Sequence, residues 1–245
     1  LGGSVNLLFS AFVHTYMGLW GQATMHFIMR HLTAYPPDVV LNYGAYDNSF
    51  TTDDIKETMY HEYAHVGHYA GLPSNTRDDY WAANIDYIVA NTTSGNNAPY
   101  GTQDGSVNAQ RCAIMEMWGY HIGYFFADKQ YGINCAASRS FFDPVRKTAA
   151  RFIYRRAERF NPNNTNDDFA WIPEGLPFDL IDDNCHLSNP LFVDPINDQV
   201  QGFTHQQIFD AITNGTPGTM NVFVSNIKAY NSSPLVDSLI SEYNY

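Results

Sequence analysis

Apolar residues recur at Ile55, Met59, Val66 and Ala70, the spacing of one helix face, in a segment opened by Thr51-Thr52-Asp53-Asp54 and closed by Gly71 and Pro73. Hydroxyl and carboxylate side chains suit the exposed N–H groups of a first turn, Asp54 and Glu57 add negative charge there, and Gly followed by Pro ends helices. A helix over about 54–70 is expected. Cys112 to Tyr120 is apolar on nearly every side, the pattern of a buried helix. Asp38 to Tyr43, entered from Pro36-Pro37, has Val39 and Val40 at its centre and predicts a strand. Leu7–Val13 predicts a short strand or helix and Gly21–Leu32 a helix. Thr204 with Gln207 predicts a capping box for a helix to about Asn214, and Pro217–Tyr230 suggests one more. Polar stretches at 91–110 and 161–176 predict loops, the first placed near a cleft. The sum is an α+β fold, mainly helical, with a small sheet near the N-terminal side, in one domain spanning residues 1–245 whose C-terminal part is helical from about 177.

The middle of the first helix reads His61-Glu62-Tyr63-Ala64-His65, an H-E-x-x-H motif. With nine histidines and six glutamates in 245 residues a chance match is roughly a one-in-a-hundred event, so the context has to carry the argument. On a helix His61 and His65 differ by about 40° of rotation, which lets both Nε2 atoms reach one metal. Glu62 lies about 100° from His61, off the metal but within reach of a water activated there, so it suits a general base. A structural zinc site is usually closed by cysteines, and Cys112, Cys135 and Cys185 form no C-x-x-C pair. The bland alternative is a pair of half-buried, hydrogen-bonded histidines.

A hydrolytic zinc needs a third protein ligand and an open position. The metzincin pattern would need Gly at 68 and His or Asp at 71, where this chain has His68 and Gly71. His68 lies within about 20° of His61 around the axis but roughly 10 Å along it, which makes it a poor third ligand and leaves it as a neighbour of the site or a substrate contact. Glu116 is the better candidate. A carboxylate within Cys112–Tyr120 would cost several kcal/mol unless a cation or several donors compensate it. The alternative is a partly exposed Glu116 with Trp118 and Met117 on the other side of the helix.

Two histidines from one helix and a glutamate from a later one form the gluzincin arrangement. HEYAHVGHYAG, the Tyr80-Trp81 and Ile85-Asp86-Tyr87-Ile88 stretch, and EMWGYHIGYFF resemble a family of zinc metallopeptidases found among secreted or lipid-anchored proteins of Bacteroidetes. The resemblance covers about residues 25–130. It implies a zincin-like (gluzincin) catalytic domain with zinc (Zn2+) as cofactor, His61, His65 and Glu116 at the ligand positions, Glu62 as base, and export from the cytoplasm. Gluzincins of the thermolysin kind carry Asp four residues after the ligand Glu, where this chain has Tyr120, so the groups that orient the histidines are unassigned. Tyr120 lies one turn beyond Glu116 on the same face and is a candidate oxyanion stabiliser or a core residue, with Tyr124 a second option and His121 a poorer one.

Net charge of −12 argues against nucleic acid and anionic membrane surfaces as partners. Arg146, Lys147, Arg151, Arg155, Arg156 and Arg159 cluster at helical spacing that favours a solvated face over a binding patch. No apolar run approaches 18 residues, so no transmembrane segment is expected. The chain starts at Leu1 without Met, as a trimmed chain lacking an export signal or upstream domain would. His186 and His205 have no partner spacing and read as surface or cap residues. If Asp38–Tyr43 is the edge strand beside the zinc helix, it could hold an extended peptide by β-addition. Two functions compete: a zinc metallopeptidase acting on a peptide, protein or glycoprotein, and a non-catalytic zinc-stabilised surface module that binds glycan or protein through Tyr and Trp. Substrate preference and oligomeric state are not legible.

Overall fold

The computed structural model describes residues 7–9, 39–41, 52–93, 100–131, 171–181, 200–215, 218–243 and 245. The expected helix at 21–32, the basic cluster Arg146–Arg159, Cys135, Cys185 and His186 lie outside them. The described chain is mainly helical: β1 (Leu7–Phe9), β2 (Val39–Leu41), α1 (Thr52–Gly71), α2 (Arg77–Thr93), α3 (Val107–Tyr131), α4 (Leu176–Ile181), α5 (His205–Thr213), α6 (Met220–Lys228) and α7 (Pro234–Glu242). β1 and β2 pair in parallel, Leu7 opposite Val39 and Phe9 opposite Leu41, and β2 lies against α1.

α3 is the axis of the molecule. Its 25 residues span about 37 Å, and Ala109, Cys112, Ala113, Ile114, Met115, Met117 and Trp118 are all buried. A helix that is apolar on all sides must be enclosed by neighbours. Among the described elements α1 packs along it most extensively, and α2, α4 and α6 also lie against it. The C-terminal helices contribute Ile208, Ile212, Phe223, Ile227, Val236 and Leu239 to the same core, each buried side chain stabilising the fold by roughly 1.5–3 kcal/mol.

Local signals explain the helix ends. Thr204 accepts from the Gln207 backbone while the Gln207 side chain accepts from the Thr204 N–H, a complete capping box for α5. Thr219 caps α6 by accepting from the Val222 N–H and Ser233 caps α7 by accepting from the Leu235 N–H, with Pro234 at the start of α7, where its missing N–H costs nothing.

α1 differs from its sequence reading in two respects. Among its described side chains the most buried are Ala64 and His68, not Val66 or Ala70, because the histidine face packs on α3. Gly71 is the last helical residue and has no positive φ. What it provides is proximity: a Cβ there would lie 2.7 Å from Phe209 and Thr213 of α5. Among the described residues no helix is long and apolar enough to cross a membrane.

Candidate metal centre

Helical periodicity puts His61 and His65 one turn apart on the face of α1 that meets α3. Glu116 faces them from α3. His61 Nε2 lies 2.9 Å from His65 Nε2 and 3.3 Å from Glu116 Oε2, and His65 Nε2 lies 3.6 Å from Glu116 Oε1. Ligand atoms about 2.0–2.1 Å from a tetrahedral zinc are separated by about 3.3 Å, which these distances bracket. Among the described residues this is the one cluster of three such donors that could hold a metal ion. Glu116 is 4 % exposed, and its buried Oε2 has no well-aligned hydrogen-bond donor among the described residues. Two imidazole nitrogens and an orphaned carboxylate oxygen aimed at one point are a poor arrangement without a cation and a good one with it.

Gly119 makes the approach possible. A Cβ at 119 would sit 2.7 Å from His61 Cε1 and 2.8 Å from His65 Cε1. Glycine inside a helix costs about 1 kcal/mol relative to alanine, so its place in the middle of α3 is explained by the two rings resting on its backbone.

The electrostatics follow from burial and neighbours. Burial opposes the charge on Glu116, but His65, His61 and a hydrogen bond from Tyr100 outweigh it and hold its pKa below the ordinary carboxylate value. Burial likewise opposes charge on His61, and contact with Glu116 plus the fields of Glu116, Glu62 and Glu174 reverse the balance and raise its pKa. Glu62, beside His61 on α1, is pushed up to about 7 by burial, with His61 opposing and Glu116 adding to the rise. A cation at the centre would pull Glu62 back toward its charged form.

Comparison with family models, curated proteins and solved structures gives no match. The chemistry of the site therefore carries the functional argument by itself.

The other sequence candidates fall as follows. The ring of Tyr120 stands 4.6 Å from that of His61, edge to face, half-buried beside the centre. Tyr124 is buried and donates its hydroxyl to Glu174 Oε2 at 3.3 Å. His68 is outside the cluster: it is fully buried, its Nε2 hydrogen-bonds the Ile212 carbonyl at 3.2 Å, and burial together with His65 lowers its pKa to about 3. It fastens α1 to α5. His205 is half-buried rather than a surface residue, its Nδ1 2.9 Å from Nε2 of the buried His121. Cys112 is buried and free.

Three residues near the centre went unread in the sequence. Tyr100, at the start of the described part of the α2–α3 connection, bonds Glu116. Glu174, 4 % exposed, lies near enough to His61 to act on its charge. Gly119 was visible as a glycine inside an otherwise apolar helix, a pattern that signals close approach.

Proposed function

We propose that this chain is a zinc-dependent peptidase of gluzincin type, with zinc held by His61, His65 and Glu116 and Glu62 as general base. The observation that supports it best is the pairing of a three-donor cluster with a carboxylate next to it, Glu62, that stands outside the cluster. Zinc bound there would supply Lewis-acid polarisation of a carbonyl and a lowered pKa for water. The remaining work belongs to side chains. Glu62 takes the proton of the water that attacks the scissile carbonyl carbon and passes it to the amide nitrogen as the C–N bond breaks, leaving a carboxylic acid and an amine. Tyr120, whose ring lies beside that of His61, would donate its hydroxyl to the oxyanion that forms on that carbon.

The substrate is a peptide or protein. β2 supports this because it lies against α1, where a substrate backbone could add to the strand pair as an extended segment. N-methylation of the substrate amide that pairs there should raise KM; an unchanged KM for every N-methylated position would remove β2 from the binding site.

The test of the whole reading is a pair of measurements on the Glu62→Gln variant. It should keep about one zinc per chain and lose roughly 10²–10⁴-fold in peptide hydrolysis. Hydrolysis at the unaltered rate would end the assignment of Glu62. Zinc bound with no hydrolysis of any peptide or glycopeptide by the unaltered protein, together with saturable glycan binding, would identify a non-catalytic zinc-stabilised module instead.

A further inference from the structure

Residues 100–106 lead from the connection after α2 into α3, and the first of them, Tyr100, is not used by the reaction outlined above. Its ring packs against the core, and its hydroxyl is hydrogen-bonded to the Glu116 carboxylate. An ionised carboxylate only accepts, so the phenol is the donor. The two carboxylate oxygens face the histidines, Oε2 3.3 Å from His61 Nε2 and Oε1 3.6 Å from His65 Nε2.

The backbone on either side of this contact is fixed from α2. Gly101 has φ +66°, a conformation that side-chain-bearing residues rarely adopt, and a Cβ there would lie 2.6 Å from both Asn91 Nδ2 and Tyr87 Oη. The chain therefore lies flush on α2 at this point. Tyr87 Oη also donates to the Thr102 carbonyl at 3.3 Å. Farther along, the Ser106 N–H donates to Asp104 Oδ1 and the Ala109 N–H to Ser106 Oγ, leading the chain into α3. Glu116 thus sits on α3 while the donor that orients it is set by α2.

We propose that Tyr100 is the positioning residue of Glu116: Tyr87 and Gly101 hold its phenol on the carboxylate, which fixes how that group turns toward a divalent metal. This rests on the reading of Glu116 as a metal ligand. A ligating carboxylate left free to rotate would present either oxygen, or both, and groups that orient ligands in this way typically contribute 10–100-fold in metal affinity. Tyr100 touches neither the metal nor the reacting atoms in this scheme. Its loss acts through the geometry of Glu116.

The experiment is zinc affinity by chelator competition, with the absorption spectrum of the cobalt(II)-substituted protein as a report on coordination. Tyr100→Phe should bind zinc roughly 10–100-fold more weakly than the unaltered protein and should alter the cobalt spectrum, a change that a purely packing role would not produce. Tyr87→Phe, which frees the segment without touching Glu116, should shift affinity in the same direction by a smaller factor. Affinity within about twofold of the unaltered protein and an unchanged cobalt spectrum in Tyr100→Phe would overturn this role while leaving the metal site intact. Failure of the unaltered protein to bind zinc would overturn both together. If Tyr100→Phe does not fold, Tyr87→Phe decides, and unchanged affinity there overturns the proposal.

Discussion

Two pairs of histidines in this molecule have the same spacing and opposite chemistry. His61 and His65 approach to 2.9 Å between ring nitrogens, as do His121 and His205. Around the first pair stand Glu116, Glu62 and Glu174, and the pKa of His61 is raised. Around the second stand Phe125 and Phe178, with Lys129 acting on His205, and both pKa values are lowered, burial being the main cause in each. An imidazole pair on its own is not a metal site. What separates the two is the carboxylate that faces the first pair: the first can gain a cation, and the second is a neutral hydrogen bond between α3 and the start of α5.

Substitutions should separate the two pairs cleanly. His65→Ala should weaken zinc binding roughly a hundredfold or more, since three ligands share the binding free energy. His121→Ala should leave zinc affinity unchanged and lower the unfolding free energy by about 1–3 kcal/mol, the cost of a lost buried hydrogen-bond partner. Equal effects on zinc affinity, measured by chelator competition, would erase the distinction.

Gly119→Ala should give the next largest effect. Alanine favours helix by about 1 kcal/mol in an exposed helix, but here its Cβ would overlap both imidazoles, so weaker zinc binding and a lower melting temperature are expected together. A variant with higher stability and unaltered zinc affinity would show that α1 and α3 can part without cost.

Acid should act through the neutral histidines of the metal-free protein. His68 and His121 have folded-state pKa values below the ordinary value of about 6.5. The unfolded chain therefore binds more protons below that pH, and stability is lost as pH falls from about 6.5, for His68 down to its folded value of about 3. Each such group contributes a slope of up to about 1.4 kcal/mol per pH unit. Glu62 and His61, whose pKa values are raised, act in the opposite direction, so the contribution of His68 is read by difference, from denaturant unfolding of the unaltered protein and a His68 variant at pH 7, 6 and 5. His68→Gln should be less stable at pH 7, having lost its bond to Ile212, with a shallower dependence on pH. The same slope in both proteins would contradict the assignment of His68 as a buried neutral tie. The smallest effect is expected from Thr204→Ala, which removes the α5 cap and should cost about 1 kcal/mol with no change at the metal centre.

Local signals were legible in the sequence, and contacts between distant segments were not. The caps and stop residues around the H-E-x-x-H segment predict a helix over about 54–70, where α1 runs from Thr52 to Gly71. The capping box at Thr204 marks the start of α5. Glu116 could be singled out because a carboxylate in an apolar helix needs a partner wherever that partner comes from, and it does face His61 and His65. α2 was not read as a helix, and α7 lies in the C-terminal part that was read as helical from about 177 but was given no bounds of its own. The pairing of His121 with His205, 84 residues apart, has no local signature. Neither has the contact of Tyr100 with Glu116, which depends on how α2 lies against the chain at Gly101. Glu174 sits in a stretch read as loop, yet Trp171 to Pro177 is buried.

The central claim is that His61, His65 and Glu116 hold one divalent metal, and equilibrium dialysis of zinc against the unaltered protein and Glu116→Gln tests it most directly. The unaltered protein should retain about one zinc per chain, and Glu116→Gln should lose it at the same free zinc concentration. Equal zinc content in the two proteins, or none in the unaltered one, would contradict the account.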